Sequence, residues 1–293
     1  MSAVAILSGG NPDEYLVSGE YPMTRRDLSD IAAMIYSDAG IALNDTKASL
    51  VYSRLSKRLR QIGLQNFSEY CRYVETEKGA EERREMLSSL TTNFTKLFRE
   101  KHHFEHLEKK VLPELAARAR AGGRVRIWSA GCSDGSEPYS IALTCLKVLP
   151  EAASLDFRIL ATDIDPKILD KAKAGIYEEG TLETVDPAMR KQMFRAIPNG
   201  NYEVDEKAKA LISFRELNLM RHWPFKGPFD VIFCRNVVIY FDEPTQVEIW
   251  KRYAELLPKG GVLYIGHSER LWGEAKEWFE NSGITTFRYK GGK

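Results

Sequence analysis

The stretch Val125-Arg126-Ile127-Trp128-Ser129-Ala130-Gly131-Cys132-Ser133-Asp134-Gly135-Ser136-Glu137-Pro138 decides the fold. Residues 125–128 form a short apolar run that reads as a strand. The run passes into a glycine-bearing turn. Pro138 suits a first helical turn, and the helix is expected to reach Leu149. Gly131 and Gly135 let the backbone turn sharply and approach a ligand closely. Strand, glycine loop and helix in that order form a nucleotide-type loop. It lacks both the Gly-x-Gly-x-x-Gly order of a dinucleotide site and the Gly-Lys-Ser/Thr of a phosphate loop.

Outward from this unit the alternation repeats. Residues 157–160, 231–234 and 262–265 are further short apolar runs, and helix-like segments at 138–149, 166–174 and 245–257 separate most of them. This pattern predicts an α/β fold: a doubly wound, mostly parallel Rossmann-like sheet with helices on both faces. Residues 177–211 interrupt the alternation and carry the turn sequence Pro198-Asn199-Gly200-Asn201, so a small inserted subdomain is expected there.

Upstream the texture is helical. Thr24 before Arg25-Arg26-Asp27-Leu28 reads as an N-cap, followed by Ile31, Ala32, Ile35 and Tyr36 at helix spacing. Further helices are expected over 46–62, 66–74, 80–90 and 100–120. The last breaks near Pro113 and ends at Gly122-Gly123. Residues 1–22 hold Gly9-Gly10-Asn11-Pro12 and Gly19 without periodicity and are expected to be a flexible tail. The domain plan is a tail (1–22), a helical domain (23–108) and an α/β domain (109–293) with the insertion at 177–211.

The chain has 293 residues, and 42 Lys+Arg against 41 Asp+Glu leave a formal charge of +1. That length suits two domains of roughly 150 residues. A composition 43% hydrophobic and 28% charged excludes a disordered or fibrous chain. The near-zero net charge argues against a protein that coats nucleic acid. No apolar run approaches the roughly 18–20 residues of a membrane span. Residues 3–7 are apolar without a basic flank, which is not the pattern of a secretory signal. Cys71, Cys132, Cys145 and Cys234 are scattered, as in a reduced, cytoplasmic protein without disulfides or a zinc framework. His102 and His106 are four apart, but the His-Glu-x-x-His order is absent and no third ligand is evident, so no metal is expected.

Acidic residues around the loop point to the ligand. Asp134 and Glu137 would repel a pyrophosphate at the helix N-terminus and favour a ligand carrying an ammonium or sulfonium charge. Asp163, at the end of the second strand, is placed to accept bonds from ribose hydroxyls. Together these features favour S-adenosylmethionine over NAD.

Several longer motifs carry a family resemblance. They are 91–100 (Thr91-Thr92-Asn93-Phe94-Thr95-Lys96-Leu97-Phe98-Arg99-Glu100), the 128–142 loop, 161–165, 229–241, and Gly266-His267-Ser268-Glu269. With these in order, the chain resembles the chemotaxis receptor methyltransferases, the CheR family, over about residues 24–289. The resemblance implies a helical N-terminal domain, an S-adenosylmethionine-dependent methyltransferase domain and a β-subdomain inserted in it. By motif, Asn93, Thr95, Arg99, Glu137, Asp163, Asn218, Leu219, Arg235 and Asn236 would bind the cofactor, with Gly131 in the loop. Asp134 and Ser136 stand where the family usually has Thr and Glu, and Leu97 where Phe is common.

The implied reaction moves a methyl group to a receptor glutamate, giving a methyl ester and S-adenosylhomocysteine. A glutamate of pKa about 4.3 is already ionised at neutral pH, so no general base is required. Arg99, Arg235 and Tyr240 are the catalytic candidates, Arg99 fixing the cofactor while Arg235 and Tyr240 orient the carboxylate. Two other readings stay open, a cofactor-binding signalling module without activity and a nucleic-acid methyltransferase.

Residues 47–60 hold Lys47, Arg54, Lys57, Arg58 and Arg60 and no acid. On a helix, Val51, Leu55, Leu59 and Ile62 fall within about 80°. A basic band comprising Arg54, Lys57, Arg58 and Arg60 is therefore expected to face outward and, given the resemblance, to dock the cytoplasmic helices of a receptor. Neither nucleic acid nor direct membrane insertion is expected. The inserted segment looks short for a subdomain that tethers a receptor C-terminal pentapeptide, so recognition is expected to be tether-independent.

Overall fold

Thr24 starts the first helix with a reciprocal cap. Its Oγ1 accepts from the Asp27 N–H at 3.2 Å, and Asp27 Oδ2 accepts from the Thr24 N–H at 2.9 Å. Helix α1 then runs Arg25–Ala39, until Gly40 takes φ +72°. The computed structural model describes residues 11–91 and 93–292. Contacts divide the chain between Thr92 and Asn93, with Tyr240–Asp242 grouped with the first unit.

In the first unit, β1 (Tyr15–Val17) pairs antiparallel with β2 (Met23–Thr24). Residues 15–24 are thus a small hairpin rather than the expected tail, anchored by buried Tyr21 and Met23. The rest of that expectation, residues 1–10, lies outside the described residues. Helices α2 (Ala48–Ile62), α3 (Phe67–Val74) and α4 (Ala80–Leu90) follow. Their apolar stripes meet around Leu28, Ile31, Ile35, Val51, Leu55, Leu59, Phe67 and Met86, all fully buried. Tyr36 Oη donates to Asp242 Oδ2 at 2.7 Å, and the Ala42 N–H donates to the Tyr240 carbonyl at 2.8 Å.

The basic band on α2 differs from expectation. Arg54 Nη1 donates to the carbonyls of Ser89, Leu90 and Thr91 at 2.9–3.1 Å, closing the end of α4. Arg58 donates to both carboxylate oxygens of buried Glu82, at 2.9 and 2.5 Å, and lies 3.4 Å from Glu85. Arg60 is exposed and pairs with Glu20 at 2.5 Å, and Lys57 is exposed. The local sequence holds no acid, but the folded unit supplies three from elsewhere in the chain. The outward surface reduces to Lys57 and Arg60.

In the second unit, α5 (His102–His106), one π-helical turn (Leu107–Val111) and α6 (Leu112–Arg120) form an almost continuous rod. The irregular turn sits just before Pro113, which cannot donate into the preceding turn. These helices pack on the sheet, with Leu107, Leu112 and Ala116 in one core with Ile127. That packing puts the division at 92/93 rather than near 108. There follow β3 (Val125–Ala130), α7 (Ser136–Val148), β4 (Phe157–Asp163) and α8 (Pro166–Ala174). The insertion contains β5 (Ile176–Glu178), α9 (Pro187–Met193), β6 (Phe194–Ile197), β7 (Asn201–Val204) and α10 (Glu206–Leu211), its strands forming an antiparallel sheet in the order β5-β7-β6.

Then come β8 (Ile212–Glu216), β9 (Val231–Cys234), α11 (Glu243–Leu256), β10 (Val262–Ile265), α12 (Ala275–Trp278), β11 (Phe279–Gly283) and β12 (Thr286–Tyr289). The large sheet has the order β11-β12-β10-β9-β3-β4-β8. Strands β10, β9, β3, β4 and β8 are parallel, and the C-terminal hairpin adds antiparallel on β10. This is the expected doubly wound architecture. Strands β8, β11 and β12, absent from the sequence reading, are outer strands whose mixed composition lacks the apolar signature of the central four.

Candidate active site

Strand β3 is where the winding reverses. The sheet continues through β4 to β8 on one side and through β9 to β10 on the other. The carboxyl ends of β3 and β9 therefore flank the crevice in which such sheets hold ligands. After β3 the loop approaches its neighbour closely. A Cβ on Gly131, at φ +75°, would lie 2.3 Å from Val237 Cγ2. The N–H groups of Gly131 and Cys132 both donate to the Thr162 carbonyl at 2.8 Å, and the Ser133 N–H donates to Asp163 Oδ2 at 2.8 Å.

The other candidates gather at the same end of the sheet. The Leu217 N–H donates to the Asp163 carbonyl at 2.9 Å, which brings Asn218 and Leu219 alongside. Asn93 Nδ2 reaches Asp165 Oδ2 at 3.4 Å, and its carbonyl accepts from Ser133 Oγ at 3.2 Å. Thr95 is half-buried in the same loop as Asn93. Asn236, at φ +60°, follows β9, and a Cβ on Gly266 would lie 2.7 Å from its Nδ2. The 93–101 loop is itself strained, since Phe98 and Glu100 take φ +54° and +57°. It is held by the Phe98 N–H donating to Ser140 Oγ at 2.8 Å and by Thr184 Oγ1 donating to the Leu97 carbonyl at 2.7 Å.

A buried charge cluster underlies the crevice. Arg235, with its side chain 2% exposed, donates to Glu137 Oε2 at 3.0 Å, lies 3.4 Å from Glu100 Oε2, and donates to the Arg99 carbonyl. Glu137 Oε1 accepts from Ser129 Oγ at 2.7 Å. Burial pushes the Glu137 carboxyl up, against the pull of Arg235 and Ser129. Burial pushes Glu100 up as well, but Arg235 and His267 outweigh it and leave Glu100 below the usual range. Glu137 is the more deeply buried of the two, so desolvation dominates there. Burial, and then Arg235, lowers His103 to about 2 and keeps it neutral. Asp163 is pushed up by burial despite the N–H bonds from Asp165 and Ser133.

Two expectations change. Asp134 Oδ1 is occupied by the Ser136 N–H at 2.9 Å, and the charge of Glu137 is matched by Arg235. The negative field comes instead from two carboxylates, Glu100 and Glu137, around one guanidinium. Arg235 is too enclosed to receive an incoming carboxylate and ties three segments together instead. Arg99 is half-buried, and its Nη1 donates to the Phe94 carbonyl at 3.1 Å. Tyr240 is half-buried and groups with the first unit. His106 Nδ1 bonds Tyr264 Oη at 2.8 Å and is not paired with His102.

Glu269 lies in the Gly266-His267-Ser268-Glu269 motif, which by itself gives it no role. Glu269 is 2% exposed. Its Oε1 accepts from the N–H groups of Val237 and Val238 at 2.8 and 2.9 Å, and its Oε2 from the Gly266 N–H at 2.5 Å. It holds the backbone just after Asn236. Two of those donors lie about thirty residues away along the chain, so motif spacing could not reveal them.

The model of the CheR methyltransferase S-adenosylmethionine-binding domain matches residues 93–288, and that of the CheR all-α domain matches residues 26–91. The chain belongs to the CheR methyltransferase family. A probable chemotaxis protein methyltransferase of Rhizobium etli is 68% identical over 259 residues, covering 87% of this chain and 97% of the relative. Chemotaxis protein methyltransferase 2 of Pseudomonas aeruginosa is 41% identical, covering 89% and 92% of the two chains. The chemotaxis protein methyltransferase of Escherichia coli is 41% identical, covering 82% and 83%. The two CheR domain matches meet where the contacts divide the chain.

The crevice residues fit S-adenosylmethionine. A buried carboxylate stands at the end of β4, close backbone approach is enforced at Gly131 and Gly266, and the Glu100–Arg235–Glu137 cluster carries net negative charge suited to a cationic donor.

Proposed function

We propose that this CheR-family chain is an S-adenosylmethionine-dependent methyltransferase that esterifies glutamate side chains on the cytoplasmic helices of chemotaxis receptors. One observation carries the reading: a CheR S-adenosylmethionine-binding domain lies over the β3/β9 switch point, where Asp163, Gly131 and Asn236 converge. The cofactor supplies a methyl group activated by a sulfonium. Asp163 would accept hydrogen bonds from the cofactor's hydroxyls at the end of β4, and Asn93, Thr95, Asn218, Leu219 and Asn236 line the same end of the sheet.

Arg99 is the guanidinium we assign to orienting the receptor carboxylate. Arg235 holds the loops in register. The carboxylate reacts as the ion, so catalysis requires alignment and exclusion of water rather than proton abstraction. The neutral ester loses its attraction to Arg99 and leaves. Lys57 and Arg60 steer the receptor helices, and the protein works in the cytoplasm. No described helix is long and apolar enough to cross a membrane.

Incubation with radiolabelled cofactor and a receptor cytoplasmic fragment tests this. Base-labile label on the receptor is expected. Label on RNA that survives base treatment, or no label at all, would overturn it.

A further inference from the structure

Beside Arg235, three side chains from one short segment face one another. One ligand-type atom from each of Glu100, His102 and His103 lies within 4.8 Å of the other two. Among the described residues nine buried side-chain polar atoms have no hydrogen-bond partner, and Glu100 Oε2, His102 Nε2 and His103 Nδ1 are three of them. Such atoms are rare in folded proteins. Glu100 Oε2 has the Arg235 guanidinium at 3.4 Å, whereas the two histidine nitrogens have no hydrogen-bond partner, and their coincidence beside a carboxylate calls for one.

The tautomer of His103 defines that partner. Its side chain is fully buried, and its Nε2 lies 3.2 Å from the Ile284 carbonyl and 2.8 Å from Thr285 Oγ1. In the tautomer whose Nε2 donates to the Ile284 carbonyl, the neutral ring presents a bare lone pair at Nδ1. That lone pair faces Glu100 Oε2 at 3.6 Å. Two acceptors then oppose each other with no proton between them, and a cation resolves the conflict. An imidazole that donates its second N–H to a backbone carbonyl is the usual posture of a metal-bound histidine.

We propose that Glu100, His102 and His103 form a binding site for a divalent transition ion, with zinc the best fit. Two imidazoles and one carboxylate are an established zinc donor set and leave a fourth position for water. Arg235 is flanked by Glu137 at 3.0 Å and by Glu100 at 3.4 Å, so an ion would share Glu100 with it in a cluster of two carboxylates and one guanidinium. Half-buried His102 gives a route in. The spacing of His102 and His106 could not reveal this site, because the partners of His102 are its chain neighbour and a residue before the helix.

The ion shares Glu100 with Arg235 and His267, so filling the site loosens the pin beneath the cofactor loop. This coupling rests on the function proposed above, whereas ion binding does not.

Chelator-treated full-length chain is titrated with zinc chloride by calorimetry and with cobalt(II) by visible absorption. About one ion per chain is expected, with His102→Ala or His102→Gln weakening binding about tenfold or more and removing the cobalt bands. Absence of binding, or equal binding by wild type and both His102 variants, overturns the site and leaves a trapped water as the partner. S-adenosylhomocysteine titrated with and without zinc reads the coupling. Weaker binding with zinc is expected, and unchanged affinity overturns the coupling. Failure of the metal-free chain to bind S-adenosylhomocysteine counts instead against the methyltransferase reading.

Discussion

Arg235 Nη1 lies 3.0 Å from Glu137 Oε2, joining the end of β9 to the first turn of α7 across 98 residues of chain. The bond bridges the two strand ends that flank the crevice. Its second carboxylate, Glu100, draws in the loop that carries Asn93 and Arg99.

Arg235→Ala therefore removes the cation that pairs with buried Glu137 and half-buried Glu100. A loss of about 3–5 kcal/mol is expected for an unpaired buried charge, read by urea denaturation. Arg235→Lys keeps the charge but cannot span the three acceptors. It should fold with a smaller loss and bind S-adenosylhomocysteine more weakly by calorimetry. Wild-type stability in Arg235→Ala would refute the pinning role.

Glu269→Gln replaces one oxygen that accepts backbone N–H bonds with a donor. About 1–3 kcal/mol of stability is expected to go with the unsatisfied donors. Cofactor affinity should fall beyond what a distant substitution of equal destabilisation produces, because the perturbed backbone adjoins Asn236. Parallel measurement of Tm and S-adenosylhomocysteine affinity separates the two effects.

The cations of α2 should divide into two classes. Arg54→Ala uncaps α4 and should cost about 1 kcal/mol or more. Lys57→Glu and Arg60→Glu should leave Tm nearly unchanged while lowering receptor methylation, and the deficit should shrink for wild type and variants alike as salt is raised. Equal methylation by the two charge reversals would remove this face from receptor docking.

The inserted sheet carries a pH signature. Hydrogen bonds from Lys209, then Arg195, hold the Glu203 carboxyl down to about 2, below its ordinary value of 4.5. A depressed carboxyl stabilises the fold above its unfolded pKa, and the contribution is lost as pH falls from about 4.5 towards 2. Hydrogen exchange of residues 201–204 should be faster in Glu203→Gln than in wild type at pH 7, and the difference should vanish near pH 2. A difference that persists at pH 2 would show that the pairing with Lys209 is not responsible.

Much of the architecture was legible because its causes are local. Thr24 and Asp27 cap a helix three residues apart, and residues 231–234 and 262–265 are apolar throughout because parallel strands are covered on both faces. Strands β8, β11 and β12 were not legible, since outer strands need only one buried face. Gly131 and Asp163 could be chosen in advance because a glycine turn and a strand end mark them, whereas Asn93 and Asn236 rest on the family resemblance alone.

By itself, the sequence determined the periodicities, the caps, the glycine turn after β3 and the motif order that assigns the family. Only the tertiary structure decided which charges meet. Arg54 caps a helix, Arg58 binds Glu82, Arg235 is enclosed by Glu100 and Glu137, and Glu269 receives N–H groups from a loop about thirty residues away. Charge pairing and burial depend on which segments the fold brings together, and no local pattern encodes a partner distant along the chain.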